Sequence, residues 1–296
     1  MGILDSCSCY LNENKPISKS QPLPLHTLSR RYLILKQFQI CKQNKNNSKP
    51  VYWVLNTVLL PSPSLKWEES LIVDSSVYSG QVLNNKRTGL GFQRSPGEIT
   101  YKGFWKNDKP WGLGALRTGN HSEFEGFWKN GLICGYGEYK DASGGSYKGF
   151  WKDNKQHGYG VETWKDRTVY RGNYHDGEKY GKGQLSYPDG SNFVGDFVNN
   201  KICGNGKFTW TDGRVYDGEW KDNQMHGFGK LVWPNGKSYE GEFAYDQREG
   251  FGILRNKSGK KYIGNWCQNH QHGSFKVIEN DGSSIEAFYN NGHKLK

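Results

Sequence analysis

The sequence predicts an all-β protein, an elongated, twisted, single-layer antiparallel sheet of tandem hairpins, and three observations carry that prediction. A 23-residue motif recurs nine times without an insertion, starting at Tyr78, Tyr101, Phe124, Tyr147, Tyr170, Phe193, Tyr216, Tyr239 and Tyr262, with a degenerate tenth unit opening at Ile285. Within each unit aromatic residues alternate with glycine at the two-residue period of a strand, and pairs of turn residues punctuate the unit. Hydrophobic residues make up only 34% of the chain, while 39 glycines and an aromatic share of 15% fill the gap. Ordinary domains are about 45–50% apolar with glycine counted, so rings and glycines suggest thin sheets rather than a thick core.

The first strand of each unit reads aromatic-x-Gly-x-aromatic, with glycine third in all nine repeats: Gly80, Gly103, Gly126, Gly149, Gly172, Gly195, Gly218, Gly241 and Gly264. Strand alternation places both rings and the glycine between them on one face. The missing side chain leaves room for a ring from a neighbouring strand, which would bury aromatic area without a second layer. A second glycine pair, from Gly89 and Gly91 to Gly250 and Gly252, opens the second strand, where the chain must turn or approach its neighbour closely. Only the last repeat departs, with Phe275 after Gly273 where a glycine is expected. Asp189-Gly190, Asp212-Gly213, Asn235-Gly236 and Asp281-Gly282 read as two-residue type I′ hairpin turns. Repeats of this kind stack on one another and on little else.

These residues resemble the MORN (membrane occupation and recognition nexus) family, whose motif is close to Tyr-x-Gly-x-Trp-x-x-Gly-x-x-His-Gly-x-Gly. The stretch from Tyr147 to Gly160, and the stretch from Tyr216 through Trp220 to His226 and Gly229, match it almost throughout. The resemblance covers residues 78–296. It implies a twisted, groove-shaped antiparallel sheet that serves as a scaffold. Some relatives associate with membranes or phosphoinositides; others sit in ciliary and cytoskeletal assemblies or grip partner peptides.

Before the array the chain divides in two. Residues 1–50 carry eight Lys and Arg against two acidic residues and are expected to be largely disordered, whereas residues 51–77 are expected to cap the exposed edge of the first repeat. The opening Met1-Gly2-Ile3-Leu4-Asp5-Ser6 fits an N-myristoylation pattern, and Cys7 and Cys9 follow it. A single myristoyl chain holds a membrane only weakly and reversibly, and palmitoylated neighbours supply the second signal that stable anchoring needs. Lys15, Lys19, Arg30 and Arg31 would add attraction to anionic lipid.

Several functions are disfavoured. The net charge of +11 arises from 40 basic and 29 acidic residues mixed through the chain, not from a basic groove, so no nucleic-acid partner is expected. No apolar run reaches the 18 or more residues of a membrane helix. Cys134 and Cys203 stand three repeats apart, roughly 29 Å at two strands per repeat, too far for a disulfide. Carboxylates are scattered singly and no nucleophile has a base and an orienting third group, so the chain reads as non-enzymatic and without a cofactor. His157, His226 and His272 are two and three repeats apart, too distant to share one ion, and the pair His270 and His272 lacks a third ligand in sequence. No metal site is expected.

Two rows invite a binding role. Phe104, Phe127 and Phe150 precede the motif tryptophans Trp105, Trp128 and Trp151 in three consecutive repeats, where other repeats carry Asp196, Glu219 or Glu242. Their parity puts the phenylalanines on the face opposite the glycines, as a stripe for a partner or for residues 51–77, with the tryptophan face as the alternative partner surface. Lys106, Lys129 and Lys152 form a parallel row suited to phospholipid headgroups. The reading is a scaffold tethered to the cytosolic face of a membrane by acylation at Gly2, Cys7 and Cys9, binding partner proteins through its array. A second reading makes it a structural subunit of a ciliary or cytoskeletal complex.

Overall fold

The computed structural model of the protein describes residues 65–295, together with the backbone of Cys41–Asn44 and Asn47–Tyr52, which pair with each other. Gly2, Cys7 and Cys9 lie outside the described residues, as does the rest of the chain before 65 apart from those two strands. The main sheet contains 21 strands, each hydrogen-bonded antiparallel to the next in sequence, from Lys66–Val73 to His293–Lys294. Its first strand pairs only with Ser76–Leu83 and its last only with Ser284–Asn290, so the sheet stays open with two free edges. Within the region expected to cap the array, residues 66–73 add one more edge strand, in which Trp67 and Ile72 face solvent.

Each repeat forms one hairpin, and the turn chemistry differs from the sequence expectation. The two-residue turns fall at the seventh and eighth positions, where Asn84 and Asn85, Asp153 and Asn154, or Asn199 and Asn200 all take positive φ, as a type I′ turn demands. The Asp-Gly pairs sit instead in a longer connection between repeats. There the Gly190 amide bonds the Tyr187 carbonyl, the Tyr187 amide bonds the Ser191 carbonyl, and only Gly190 of the pair is left-handed. This is a type I turn followed by a left-handed residue, the common three-residue hairpin loop. Asp189 does not need positive φ because its carboxylate accepts the Ser191 amide at 2.8 Å, an Asx-type bond that shapes the loop from its side chain.

Successive type I′ turns are clipped edge to edge. The eighth residue of one repeat donates its amide to the tenth residue's carbonyl of the repeat before, as Asn154 does to Ile133 at 3.0 Å. Its side-chain oxygen takes the tenth residue's amide in return, as Asn154 does from Ile133 at 2.8 Å and Asn223 from Ile202 at 2.8 Å. Where the tenth residue is Pro110, which has no amide to give, the eighth is Gly131, which has no side-chain acceptor.

The two glycines of the second strand do different work. The first, such as Gly158, takes positive φ in a bulge that shifts the register between Gly149 opposite Gly160 and Trp151 opposite Gln156. The second lies directly across from the glycine of the first strand, so Gly149, Gly160, Gly172 and Gly183 continue one row across neighbouring strands. Over each within-repeat pair lies the ring that opens the repeat. A Cβ placed on Gly160 would stand 2.4 Å from the Tyr147 hydroxyl, and one on Gly172 would stand 2.3 Å from the Tyr170 hydroxyl and 2.7 Å from the Cα of Gly183. The ring therefore comes from the glycine's own strand, not from a neighbour as the sequence suggested. It is pinned there because the Tyr147 and Tyr170 hydroxyls donate to the carbonyls of Phe150 and Asn173, three residues on.

Each such ring meets two others edge to face. Tyr170 stands against Tyr174 of its own repeat at 5.3 Å between centroids and against Phe197 of the next at 5.0 Å; Phe193 then meets Phe197 and Trp220. The ladder runs unbroken from Tyr78 to Phe275 and Tyr289. Pairs of this geometry contribute about 0.5–1.5 kcal/mol each beyond the area they bury. Indoles add bonds across strands: Trp220 Nε1 donates to the Gly206 carbonyl at 2.9 Å. In the last repeat Phe275, opposite Gly264, projects its own ring over that glycine, and Tyr262 is only partly buried. The departure seen in sequence is thus a change of donor strand for the same ring site.

Two predictions test the ladder. Gly183→Phe should destabilise the protein by several kcal/mol, because its Cβ would collide with the Tyr170 ring. Combined with Tyr170→Ala it should recover part of that loss, recreating the arrangement of Gly264 and Phe275; purely additive effects in denaturant melts would count against the shared ring site. The second concerns alkali. Burial pushes the phenols of Tyr78, Tyr101, Tyr147, Tyr170, Tyr216 and Tyr239 above their usual value. The folded state then keeps protons that the unfolded chain loses near pH 10. Stability is full below that pH and falls above it, by ~1.4 kcal/mol per pH unit for each such tyrosine. Absorbance titration should show these phenolates arising together with unfolding, and an uncoupled, gradual ionisation would contradict their burial.

Candidate functional site

With the rings and glycines on one face, the fourth position of each repeat projects from the other. There Leu90 lies opposite Phe104, Leu113 opposite Phe127 and Tyr136 opposite Phe150, and Tyr159 follows on the next strand. These residues form one apolar row across the strands of the first four repeats. Leu113 is buried in it, Phe150 meets Tyr136 edge to face at 5.6 Å, and Phe127, Phe150 and Tyr159 remain 36%, 47% and 51% exposed. Trp67, on the added edge strand, shares a hollow with Leu90 and Phe92 at the row's beginning. Residues 65–77 leave Phe127 and Phe150 open.

Beyond the fourth repeat the fourth position becomes polar, while Phe228 and Phe251 keep exposed rings in the same row, and the polar residues have structural duties. Glu219 and Glu242 accept the bulge amides of Phe228 and Phe251 at 3.2 Å. Asp196 accepts the amide of Asn205 at 3.2 Å and pairs with Lys182 at 2.8 Å. Phenylalanine cannot accept such a bond. Phe104, Phe127 and Phe150 therefore give up a local hydrogen bond to place rings on the surface, which points to a role outside the fold.

The tryptophan face is corrected by the structure. Trp105 and Trp128 are 5% and 7% exposed and Trp151 is partly buried, all three being rungs of the ladder. Trp128 and Trp151 also donate their indole protons to the carbonyls of Gly114 and Gly137. They hold the fold and offer a partner no surface of comparable size. Lys106, Lys129 and Lys152 are exposed, two residues after each phenylalanine and hence on the same face, with Lys106 Nζ 4.6 Å from the Trp111 ring.

Two features escaped sequence reasoning. On the ladder face Trp164, Tyr187, Trp210 and Trp233 occupy one position in four successive repeats, and that recurrence was the available signal. Cations lie over three of them: Lys179 over Trp164 at 4.6 Å, Arg214 over Trp210 at 5.0 Å and Lys237 over Trp233 at 4.7 Å. Lys179 also pairs with Glu162 at 2.8 Å, which accepts the Tyr174 hydroxyl at the same distance. Burial, with Arg248 nearby, lowers the Lys237 ammonium below its usual value. The second feature concerns histidine. His157 and His226 remain apart, but His157 lies beside His175 and Asp176 of the next repeat, while His226 meets Tyr245 edge to face at 5.3 Å. Among the described residues His270 and His272 acquire no third ligand, and Cys134, Cys203 and Cys267 form no disulfide.

Comparison with known proteins separates family from function. No curated protein matches the chain. Among solved structures it is similar to the TCP domain of Drosophila melanogaster SAS-4 in complex with a proline-rich motif of Ana2, at 15% identity over 52% of this chain and 85% of that one, with a TM-score of 0.33. It is also similar to a mutant TCP10 domain of Danio rerio CPAP, at 12% identity over 76% and 95% with a TM-score of 0.26. A virginiamycin B lyase from Staphylococcus aureus follows, at 11% identity over 75% and 73% with a TM-score of 0.15. The MORN repeat model, by contrast, matches eight times, at residues 78–97, 101–122, 124–146, 147–169, 170–192, 193–213, 216–238 and 239–261, each match coinciding with one hairpin of the array. Tandem 23-residue hairpins with paired glycines under an aromatic ring, matched over more than half its length, make this chain a member of the MORN repeat family.

Proposed function

We propose that the protein is a scaffold whose first four repeats dock an amphipathic helix with acidic residues along one flank, and whose N-terminus anchors it to a membrane. MORN repeats are a non-enzymatic repeat family with scaffold and binding roles, which supports the general reading. The observation that carries the specific one is the replacement of a hydrogen-bonding residue by Phe104, Phe127 and Phe150 on an outer face left open at Phe127, Phe150 and Tyr159. Strands repeat at about 4.8 Å and hairpins at about 9.6 Å. A helix laid across them brings side chains to one face at i+3 or i+4 and again at i+7, about 5 and 10.5 Å along its axis. The spacings match, and Lys106, Lys129 and Lys152 run beside the row, two residues farther along each strand and so about 6.7 Å away. Large aromatic side chains in such a contact often dominate its energy.

Changing Phe104, Phe127 and Phe150 together to Glu should leave the melting temperature near wild type, since Glu219 and Glu242 show how the site accommodates that side chain. Amphipathic acidic helices selected from a peptide library on the full chain should bind the variant at least about tenfold more weakly. Equal binding would overturn the docking face; a large fall in melting temperature would show that the row is covered by the chain itself.

The tether rests on Gly2, Cys7 and Cys9, an acylation pattern in which two kinds of chain supply the two signals that stable anchoring needs. Gly2→Ala should move the protein from the membrane to the soluble fraction of a cell lysate, and Cys7→Ser with Cys9→Ser should leave it weakly and reversibly bound. Variants that sediment with membranes as wild type does would refute the acyl tether.

A further inference from the structure

The junction between the fourth and fifth repeats lacks the clip that joins most of its neighbours. Its eighth residue is Gly177, which gives its amide to the Gln156 carbonyl at 2.8 Å but has no side chain to accept the Gln156 amide in return. In its place stand His157 from one repeat and His175 and Asp176 from the next. One ligand atom from each lies within 4.8 Å of the other two. His157 Nδ1 is 3.6 Å from one Asp176 oxygen and His175 Nδ1 is 3.7 Å from the other, and the imidazole centroids are 5.2 Å apart. A tetrahedral ion with bonds of about 2.0–2.1 Å spaces its ligand atoms by about 3.4 Å, so small side-chain rotations would close the set.

The backbone prepares this cluster. Asp176 and Gly177 are the left-handed pair of a type I′ turn, and His157 immediately precedes the left-handed Gly158 of the bulge. The Asp176 amide points at His157 Nδ1 across 3.5 Å, a long contact that holds the imidazole beside the turn and that an ion bound at Nδ1 would replace. Other junctions act as internal controls. The residue corresponding to His175 is lysine in four other repeats and Leu83, Val198, Ala244 or Cys267 in the rest; His226 and Glu249 share the place of His157, but Ala244 and Tyr245 face the first, and the second meets only Cys267 beside Gln268. Cys134 with Asp153, and Cys203 with Asp222, offer two candidate ligands, but a lysine takes the third place in both. Among the described residues three ligating side chains converge only here.

We propose that His157, His175 and Asp176 bind a divalent transition-metal ion, zinc being the natural match to two imidazoles and one carboxylate, and that the ion joins the fourth and fifth repeats where the side-chain clip is missing. Three protein ligands leave a fourth position open, so water or a ligand from a partner completes the shell. The side chains of His175 and Asp176 are 65% and 56% exposed, which gives the ion access. Binding of this kind stabilises the folded array in proportion to free metal, because the ligands converge only when both hairpins are formed.

The test uses substitutions the fold already tolerates at the same positions: His175→Lys, Asp176→Asn and His157→Thr, with His272→Ala as a matched control. Zinc is titrated into the full-length protein by calorimetry, and melting temperature is followed at each zinc concentration. Wild type and His272→Ala should take up one equivalent with a dissociation constant on the order of micromolar, as a three-ligand surface site allows, and should melt higher as zinc increases. The three substitutions should lose that equivalent and that rise, while their melting temperatures without zinc stay near wild type. Thiols, common to all, cancel in the comparison. If His175→Lys binds zinc with the same stoichiometry and affinity as wild type, or if zinc leaves the wild-type melting temperature unchanged, the site is refuted.

Discussion

The structure depends on one contact: an aromatic ring lying flat on a pair of glycines that face each other across two strands. A single sheet has no second layer in which to bury side chains, so its apolar area must be buried against its own backbone and against neighbouring rings. Removing two opposed Cβ atoms allows the first, and edge-to-face contact with the ring two residues on and with its equivalent in the next repeat supplies the second. The hydroxyl bond from Tyr170 to the Asn173 carbonyl holds the ring along its own strand, and Phe193 occupies the same place without it, so shape rather than that bond defines the site.

Because the ladder takes all its material from one face, the other is free to vary. A recurring structural duty there is to supply an acceptor for the bulge amide, met by Gln81, Asp196, Glu219 and Glu242. Phe104, Phe127 and Phe150 abandon it together and in sequence. A similar freedom holds at the turn edge, where most repeats are joined by an Asn or Asp clip and the fourth and fifth by a histidine and carboxylate cluster instead. In a protein whose repeats touch only their neighbours, such local departures stand out because eight other copies define what is ordinary.

The repeat, its register and the sharing of one face by rings and glycines were legible in the sequence because each depends on spacing along a single strand. What depends on pairing between strands was not. The owner of each ring site could not be told from Tyr147 or Gly160 separately, since the answer lies in Gly149 standing opposite Gly160. Asp189-Gly190 looked like a type I′ turn, but that geometry belongs to the Asn and Asp pairs, whose side chains clip the preceding repeat. Trp105, Trp128 and Trp151 looked like a partner surface until the rings on either side were placed around them. His157 and His175, 18 residues apart, meet because the bulge and the turn bring the eleventh position of one repeat beside the sixth of the next.

The ring-on-glycine contact has a direct spectroscopic signature. A glycine under the face of an aromatic ring has its Hα protons shifted upfield by the ring current, whereas a turn glycine in solvent does not. Proton NMR of the glycine-labelled chain should place the Hα resonances of Gly114, Gly137, Gly160, Gly183, Gly206 and Gly229 well upfield of those of Gly144, Gly177 and Gly236, beside whose Cβ positions no atom lies. Tyr170→Ala should return Gly183, together with its partner Gly172, to the usual range and leave the other pairs shifted. Overlapping shifts for the two sets of glycines would contradict the account.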